Sequence, residues 1–264
     1  MISRYFPRDA SAHDGADALL HTRNKNILVE PGRRPLLQRV ADRLWRRATR
    51  FRESTLVGSS PAVVVSEQVI ENAFVLRELD SSVRKVLDFG AFESTLPLAL
   101  AALGLEVVVV DQRRYPFVSE RLQVVQHDIL QPLRGLPGDF DVAYTIYTVE
   151  HVGLGHYGDP AKPDADRIAL GHLWQKVRPG GKLIVTVPAG RPSVQRGYRV
   201  YDEPSLRRIL PGDGRISFFR KTGRWGTWGP ATGEEIAGLE YENYFAQAPA
   251  EGVAVAVARK PQAD

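Results

Sequence analysis

The chain of 264 residues contains no cysteine. That excludes a disulfide framework, a thiolate metal centre and a cysteine nucleophile. No apolar run approaches the roughly 18 residues that a membrane-spanning helix needs. The first residues, Met1-Ile2-Ser3-Arg4-Tyr5-Phe6-Pro7-Arg8, carry no apolar core of a signal peptide. A cytoplasmic protein without a membrane span is therefore expected. Internal repeats and low-complexity tracts are also missing. What is present is the composition of an ordinary globular domain, 43% hydrophobic and 25% charged. The length suits one sizeable α/β domain plus an accessory segment, and hardly two full domains.

The formal net charge is +4, and much of the excess is local. Arg33, Arg34, Arg39, Arg43, Arg46, Arg47, Arg50 and Arg52 fall within 20 residues, and residues 34–54 read as a basic helix. Such a helix can track phosphates. Leu37, Val40, Leu44 and Trp45 nevertheless supply an apolar stripe at helical spacing, so a solvated arginine face is the simpler reading. Nucleic acid is not the expected partner. Residues 1–60 read as a helical N-terminal extension or cap, and residues 61–264 as the main domain, with Val57-Gly58-Ser59-Ser60-Pro61 as linker.

The main domain alternates helical and strand patterns. A helix from Ser66 to Leu79 turns Val69, Ile70, Phe74, Val75 and Leu76 inward and leads into a strand, Lys85–Asp88. After the turn Phe89-Gly90-Ala91-Phe92-Glu93-Ser94, a helix runs from Leu96 to Leu103, capped by Ser94 or Thr95 and stopped by Gly104. Further strands are read at 106–110, 123–128, 140–145, 182–187, 216–219 and 253–258. Between the fourth and fifth lies a helix capped by Asp164 and ended by Pro179-Gly180-Gly181. The expected fold is α/β: a Rossmann-like sheet of seven strands, mostly parallel with the last strand antiparallel.

Strand, turn, helix, strand is the unit that seats a nucleotide-type ligand on the turn, with the second strand's acid on the ribose. Here the first strand ends in Asp88 and the second in Asp111, 23 residues apart. A dinucleotide needs glycines at three positions so that the backbone can approach a pyrophosphate. Only Gly90 is glycine; Phe92 and Ser94 occupy the later positions, and Glu93 places a carboxylate near the phosphates. S-adenosylmethionine carries a sulfonium and an ammonium in place of phosphates, and it tolerates a bulkier, more acidic turn. The turn disfavours NAD.

Val86-Leu87-Asp88-Phe89-Gly90, Asp111, His127-Asp128, the fourth strand and Val177-Arg178-Pro179-Gly180-Gly181 resemble, in order and spacing, the motif series of class I S-adenosylmethionine-dependent methyltransferases. The resemblance spans roughly residues 66–260. A second string, Val149-Glu150-His151-Val152-Gly153-Leu154-Gly155-His156-Tyr157-Gly158-Asp159-Pro160, stands with Val187-Pro188-Ala189-Gly190 and Tyr198-Arg199-Val200-Tyr201. It resembles a bacterial methyltransferase group tied to sugar, surface-polysaccharide or aminoglycoside-type antibiotic modification.

The resemblance implies S-adenosyl-L-methionine as cofactor and S-adenosyl-L-homocysteine as product. Asp88, Gly90, Ala91 and Phe92 would face the methionine part, Asp111 and Gln112 the ribose and adenine edge, and Asp128 and Ile129 the adenine, with Thr145 nearby. Just past the fourth strand, where the acceptor should lie, His151 is the candidate base and Glu150 its orienting partner or an acceptor contact; an acid–His pair at this place is also often structural. His156, Tyr157, Asp159, Tyr198, Arg199, Tyr201, Trp225 and Trp228 are the candidate substrate contacts. His156, Asp159, Asp164 and Asp166 could hold a divalent cation, but turn and cap roles explain the acids equally, and no metal is predicted. The expected activity is methyl transfer to a hydroxyl or amine of a sugar-like small molecule. The rivals are a non-catalytic binding protein on the same fold and an NAD(P)-dependent oxidoreductase.

Overall fold

The computed structural model describes residues 67–92, 94–155, 160–195, 197–221, 227–240 and 252–262. The expected N-terminal extension with its arginine-rich helix, together with Glu93, His156, Tyr157, Asp159 and Trp225, lies outside the described residues. In chain order the elements are α1 (Gln68–Glu78), β1 (Lys85–Phe89), α2 (Leu96–Ala102), β2 (Glu106–Asp111), β3 (Leu122–Gln126) and β4 (Phe140–Ile146). A 3-10 turn (Val149–His151), α3 (Ala165–Lys176), β5 (Val177–Pro188), β6 (Ser193–Gln195) and β7 (Tyr198–Val200) follow. The last are α4 (Glu203–Ile209), β8 (Gly214–Lys221), β9 (Trp228–Ala231), α5 (Gly233–Ala237) and β10 (Gly252–Arg259). No helix among the described residues is long and apolar enough to cross a membrane.

The strands form one sheet in the order β3-β2-β1-β4-β5-β10-β8-β9, with β6 and β7 paired as a separate hairpin. β1 to β5 pair in parallel, and β10 inserts antiparallel between β5 and β8. Strands covered on both faces read as continuous apolar runs, as in Val107–Val110 and Leu183–Val185. Their alternate residues feed two cores. Leu87, Val108, Ala143 and Val185 face α3 and α4 through Leu170, Leu173 and Leu206. Val86, Val107, Val109, Val142 and Ile184 face α1 and α2 through Phe74, Val75, Leu96 and Leu100.

Among the described residues the sheet has eight strands where seven were expected, because the short Trp228–Ala231 segment adds an edge strand against β8. β5 begins at Val177, so Pro179-Gly180-Gly181 does not end a helix. It is an excursion between the Phe140–Val177 and Val142–Lys182 pairings, with Gly180 at φ 76. In α1, Phe74 and Val75 are buried, but Val69 and Leu76 are exposed, contrary to the sequence pattern. Asp164 sits at the head of α3 without a side-chain cap: its backbone is left-handed, at φ 55 and ψ 21. Thr95 likewise makes no cap bond at α2, where the Ser94 hydroxyl instead accepts the Leu96 amide.

α1 is tied to the sheet by polar groups as well as by its apolar face. Lys182 Nζ donates to the Glu78 carbonyl, and Arg215 lies 2.7 Å from the Glu78 carboxylate. Inside, the Thr186 hydroxyl of β5 donates to Glu71 Oε1 at 2.5 Å. Burial pushes the Glu71 carboxyl from its usual 4.5 up to about 8, partly offset by that hydrogen bond. The native state therefore holds a proton that the unfolded chain has released between those values. Stability should fall as pH rises from about 5 to about 8, by about 1.4 kcal/mol per pH unit for this group. Glu71→Gln keeps an acceptor for Thr186 and should flatten that slope, its advantage over wild type growing to pH 8; urea denaturation across this pH range reads it.

Candidate functional site

The C-terminal ends of β1 and β4 lie at the point where the strand order reverses, the place where open α/β sheets bind ligands. A cavity of about 810 Å³, including its open mouth, lies there. Gly90 is required at its floor. Its φ is +81, and a Cβ there would stand 2.2 Å from Thr148 Cγ2. Thr148 crosses from the end of β4, its hydroxyl bonded to the Ile146 carbonyl at 2.9 Å and to the Gly90 carbonyl at 3.2 Å.

Asp111 ends β2 with its side chain buried. Oδ2 accepts the Phe92 amide at 2.9 Å and Oδ1 the Arg113 amide at 2.8 Å. Each oxygen retains a second lone pair. Asp128 lies just past β3 and is exposed; Oδ1 accepts the Leu130 amide. Of the residues expected at the cofactor, Gly90, Phe92, Asp111, Gln112, Asp128 and Ile129 line the cavity. The sequence reading left out Arg113, His127, Tyr147 and Thr148, which also line it. The turn pattern after each strand was their signal.

Asp88, Ala91 and Thr145 are not on the cavity wall. Ala91 packs into the core beneath the turn. Thr145 is wholly enclosed because its position in β4 faces the opposite core from Tyr144, and its hydroxyl has no partner. Asp88 is buried opposite Tyr144 in the β1–β4 register. Burial, with a smaller contribution from the Asp111 charge, pushes its carboxyl up to about 7. The Tyr144 hydroxyl favours the ionised form from nearby, but its geometry does not complete a hydrogen bond.

His151 lines the cavity beside Tyr147 and Thr148. Its Nδ1 donates to the Gly197 carbonyl, since a carbonyl can only accept, so neutral imidazole carries its lone pair on Nε2. Nε2 is 3.5 Å from Glu150 Oε1. Glu150 itself points into the interior, fully buried, with no hydrogen-bond partner on either oxygen. Burial pushes its carboxyl well above the ordinary range, and the nearby Glu71 adds to the effect while Arg199 opposes it.

The expected substrate contacts on β7 serve the framework. Tyr201 donates to Asp166 Oδ2 at 2.7 Å, and Arg199 lies 3.6 Å from the same carboxylate while donating to the Val152 carbonyl. Tyr198 is buried as well. Asp166 thus braces β7 on α3, and no cluster of metal-binding side chains occurs among the described residues. Trp228 packs on the α1 side of the sheet, with β5, β10 and β8 between it and β4.

Residues 106–224, somewhat under half of the chain, match the family described as Caenorhabditis protein of unknown function, DUF268. A ubiquinone biosynthesis O-methyltransferase of Pseudomonas aeruginosa is 25% identical over 171 residues, 60% of this chain and 68% of that protein. An S-adenosylmethionine-dependent methyltransferase from Archaeoglobus fulgidus superposes with a TM-score of 0.50 at 16% identity, over 74% of this chain and 95% of the other. A 1,6-didemethyltoxoflavin-N1-methyltransferase from Burkholderia thailandensis gives 0.48 at 18% identity, over 89% and 94%. The chain has the Rossmann-like fold of the class I S-adenosylmethionine-dependent methyltransferases.

Gly90→Ala should destabilise the protein by roughly 2–4 kcal/mol, from the left-handed backbone and the collision with Thr148. Adding Thr148→Ala removes the two nearest obstructing atoms, Cγ2 and Oγ1, and should recover part of the loss in urea denaturation.

Proposed function

We propose that the chain is a methyltransferase that moves a methyl group from S-adenosylmethionine to a hydroxyl or amine of a sugar-like small molecule in the cytoplasm. The observation that carries this reading is the cavity at the β1–β4 switch point with the buried Asp111 carboxylate on its wall. The residues there fit the cofactor. Gly90 lets Thr148 cross against the turn, Asp111 keeps lone pairs that would accept two ribose hydroxyls, and Asp128, which also lines the cavity, would take an adenine amine. Phe92 in the turn disfavours a pyrophosphate and so a dinucleotide. When bound, S-adenosylmethionine supplies an electrophilic methyl on a sulfonium.

The protein's part is alignment and proton handling. In-line attack at carbon gains mainly from holding the acceptor against the methyl. A hydroxyl acceptor also needs a base, and His151 Nε2, with its tautomer fixed by the Gly197 carbonyl, is the group assigned to that role. The buried Glu150 has Oε1 3.5 Å from that same Nε2 and would orient the ring. The sugar-like acceptor rests on the Glu150–Pro160 string. The O-methyltransferase relative is compatible with a hydroxyl acceptor.

Isothermal titration with S-adenosylhomocysteine tests the cofactor. Folded wild-type protein should bind it at sub-millimolar concentration, and absence of binding refutes the reading. Asp111→Asn, which removes the charge and one acceptor, should weaken binding about 10- to 100-fold. With radiolabelled S-adenosylmethionine and a panel of nucleotide sugars and aminoglycosides, His151→Asn should slow transfer to a hydroxyl about 10²- to 10⁴-fold while leaving S-adenosylhomocysteine affinity nearly unchanged. An equal loss in both would remove His151 from the role of base.

A further inference from the structure

Phe92 stands where the turn geometry asks for glycine. Its backbone is left-handed at φ 43, a conformation that costs a non-glycine residue about 1–3 kcal/mol and persists only when its surroundings enforce it. The enforcement is visible: the Phe92 amide is held by Asp111 Oδ2. The same carboxylate holds the Arg113 amide on Oδ1 and has Arg113 Nε 3.6 Å away. With both backbones fixed on one acid, the Arg113 guanidinium lies over the Phe92 ring at 3.6 Å from its centroid. Both side chains line the cavity at its mouth, Phe92 44% and the Arg113 side chain 43% exposed.

We propose that Phe92 and Arg113 form a clasp on the rim of the cavity that slows the release of an adenosine-type ligand seated against Asp111. The inference rests on the methyltransferase reading above and goes beyond it, because it assigns a function to the residue that departs from a glycine turn. A half-exposed stack of a cation on a ring is weak, and it strengthens as water is removed from it. A ligand in the cavity covers the inner face of the stack, so the pair tightens in the bound state and must break before the ligand leaves. The strain at Phe92 is then the cost of placing a ring on the rim, a position that glycine cannot fill.

The test is a double-mutant cycle on S-adenosylhomocysteine binding, read as association and dissociation rates with the wild-type protein as reference. Phe92→Ala and Arg113→Ala should each speed dissociation about five-fold, with association changed less than about two-fold. The double variant should also be about five-fold faster, since either change alone removes the whole stack. Phe92→Leu keeps bulk without a π face and should behave like Phe92→Ala. Multiplication of the two single effects to about 25-fold, a loss confined to association, or full rescue by Leu would each overturn the clasp. Those outcomes leave the methyltransferase reading intact; wild-type protein that does not bind S-adenosylhomocysteine overturns that reading instead. Melting curves of each variant, compared with wild type, identify any loss that comes from unfolding.

Discussion

The shape of the candidate site depends on a single carboxylate. Asp111 accepts the Phe92 amide on one oxygen and the Arg113 amide on the other, so it joins the turn after β1 to the turn after β2. Gly90 adds a second tie, its amide donating to the Val110 carbonyl. These bonds fix the opening between the two turns, and two amides at the rim would lose their acceptor without the acid. A buried charge accepting hydrogen bonds from backbone amides is well compensated. The same carboxylate lines the cavity, so under the proposed function one group would serve both the framework and recognition.

Around and beneath this site the protein keeps other acids away from water. Asp88, Glu71 and Glu150 are buried, and burial raises Asp88 to about 7, Glu71 to about 8 and Glu150 well above its ordinary range. Isolated buried carboxylates are costly, and protonation is the usual escape. The acids therefore divide by environment. Asp128 is exposed just past β3, Asp111 is buried but accepts two backbone amides, and Asp88, Glu71 and Glu150, buried without such amides, are driven toward the neutral form. Arg199, the cation nearest to Glu150 in effect, is committed to Asp166 and to two backbone carbonyls.

The strand skeleton was legible because doubly covered parallel strands are largely apolar, as Val107–Val110 and Leu183–Val185 are. Asp111 was legible for the same reason, since an acid at the end of such a run meets the loop edge; Asp88 lies one residue inside the end of β1 and is buried, and Asp128 lies past the end of β3. Side-chain direction inside β4 was not legible. Thr145 and Tyr144 are adjacent in sequence but face opposite cores, and only the pairing with β1 and β5 decides which core is which. Tyr198, Arg199 and Tyr201 looked like a substrate loop, since nothing in their local sequence announces the distant Asp166 that takes two of them.

The sequence by itself determined the order of the central strands and helices, the turn after β1 and the acid that ends β2, because each follows from local periodicity and chain-adjacent spacing. Tertiary structure decided the rest. It turned Glu150 into the core and His151 to the cavity, spent β7 on bracing α3, and placed Arg113 over Phe92. Each of these depends on contacts between segments brought together by the sheet, and the energy of such a contact is invisible to the local pattern around either partner.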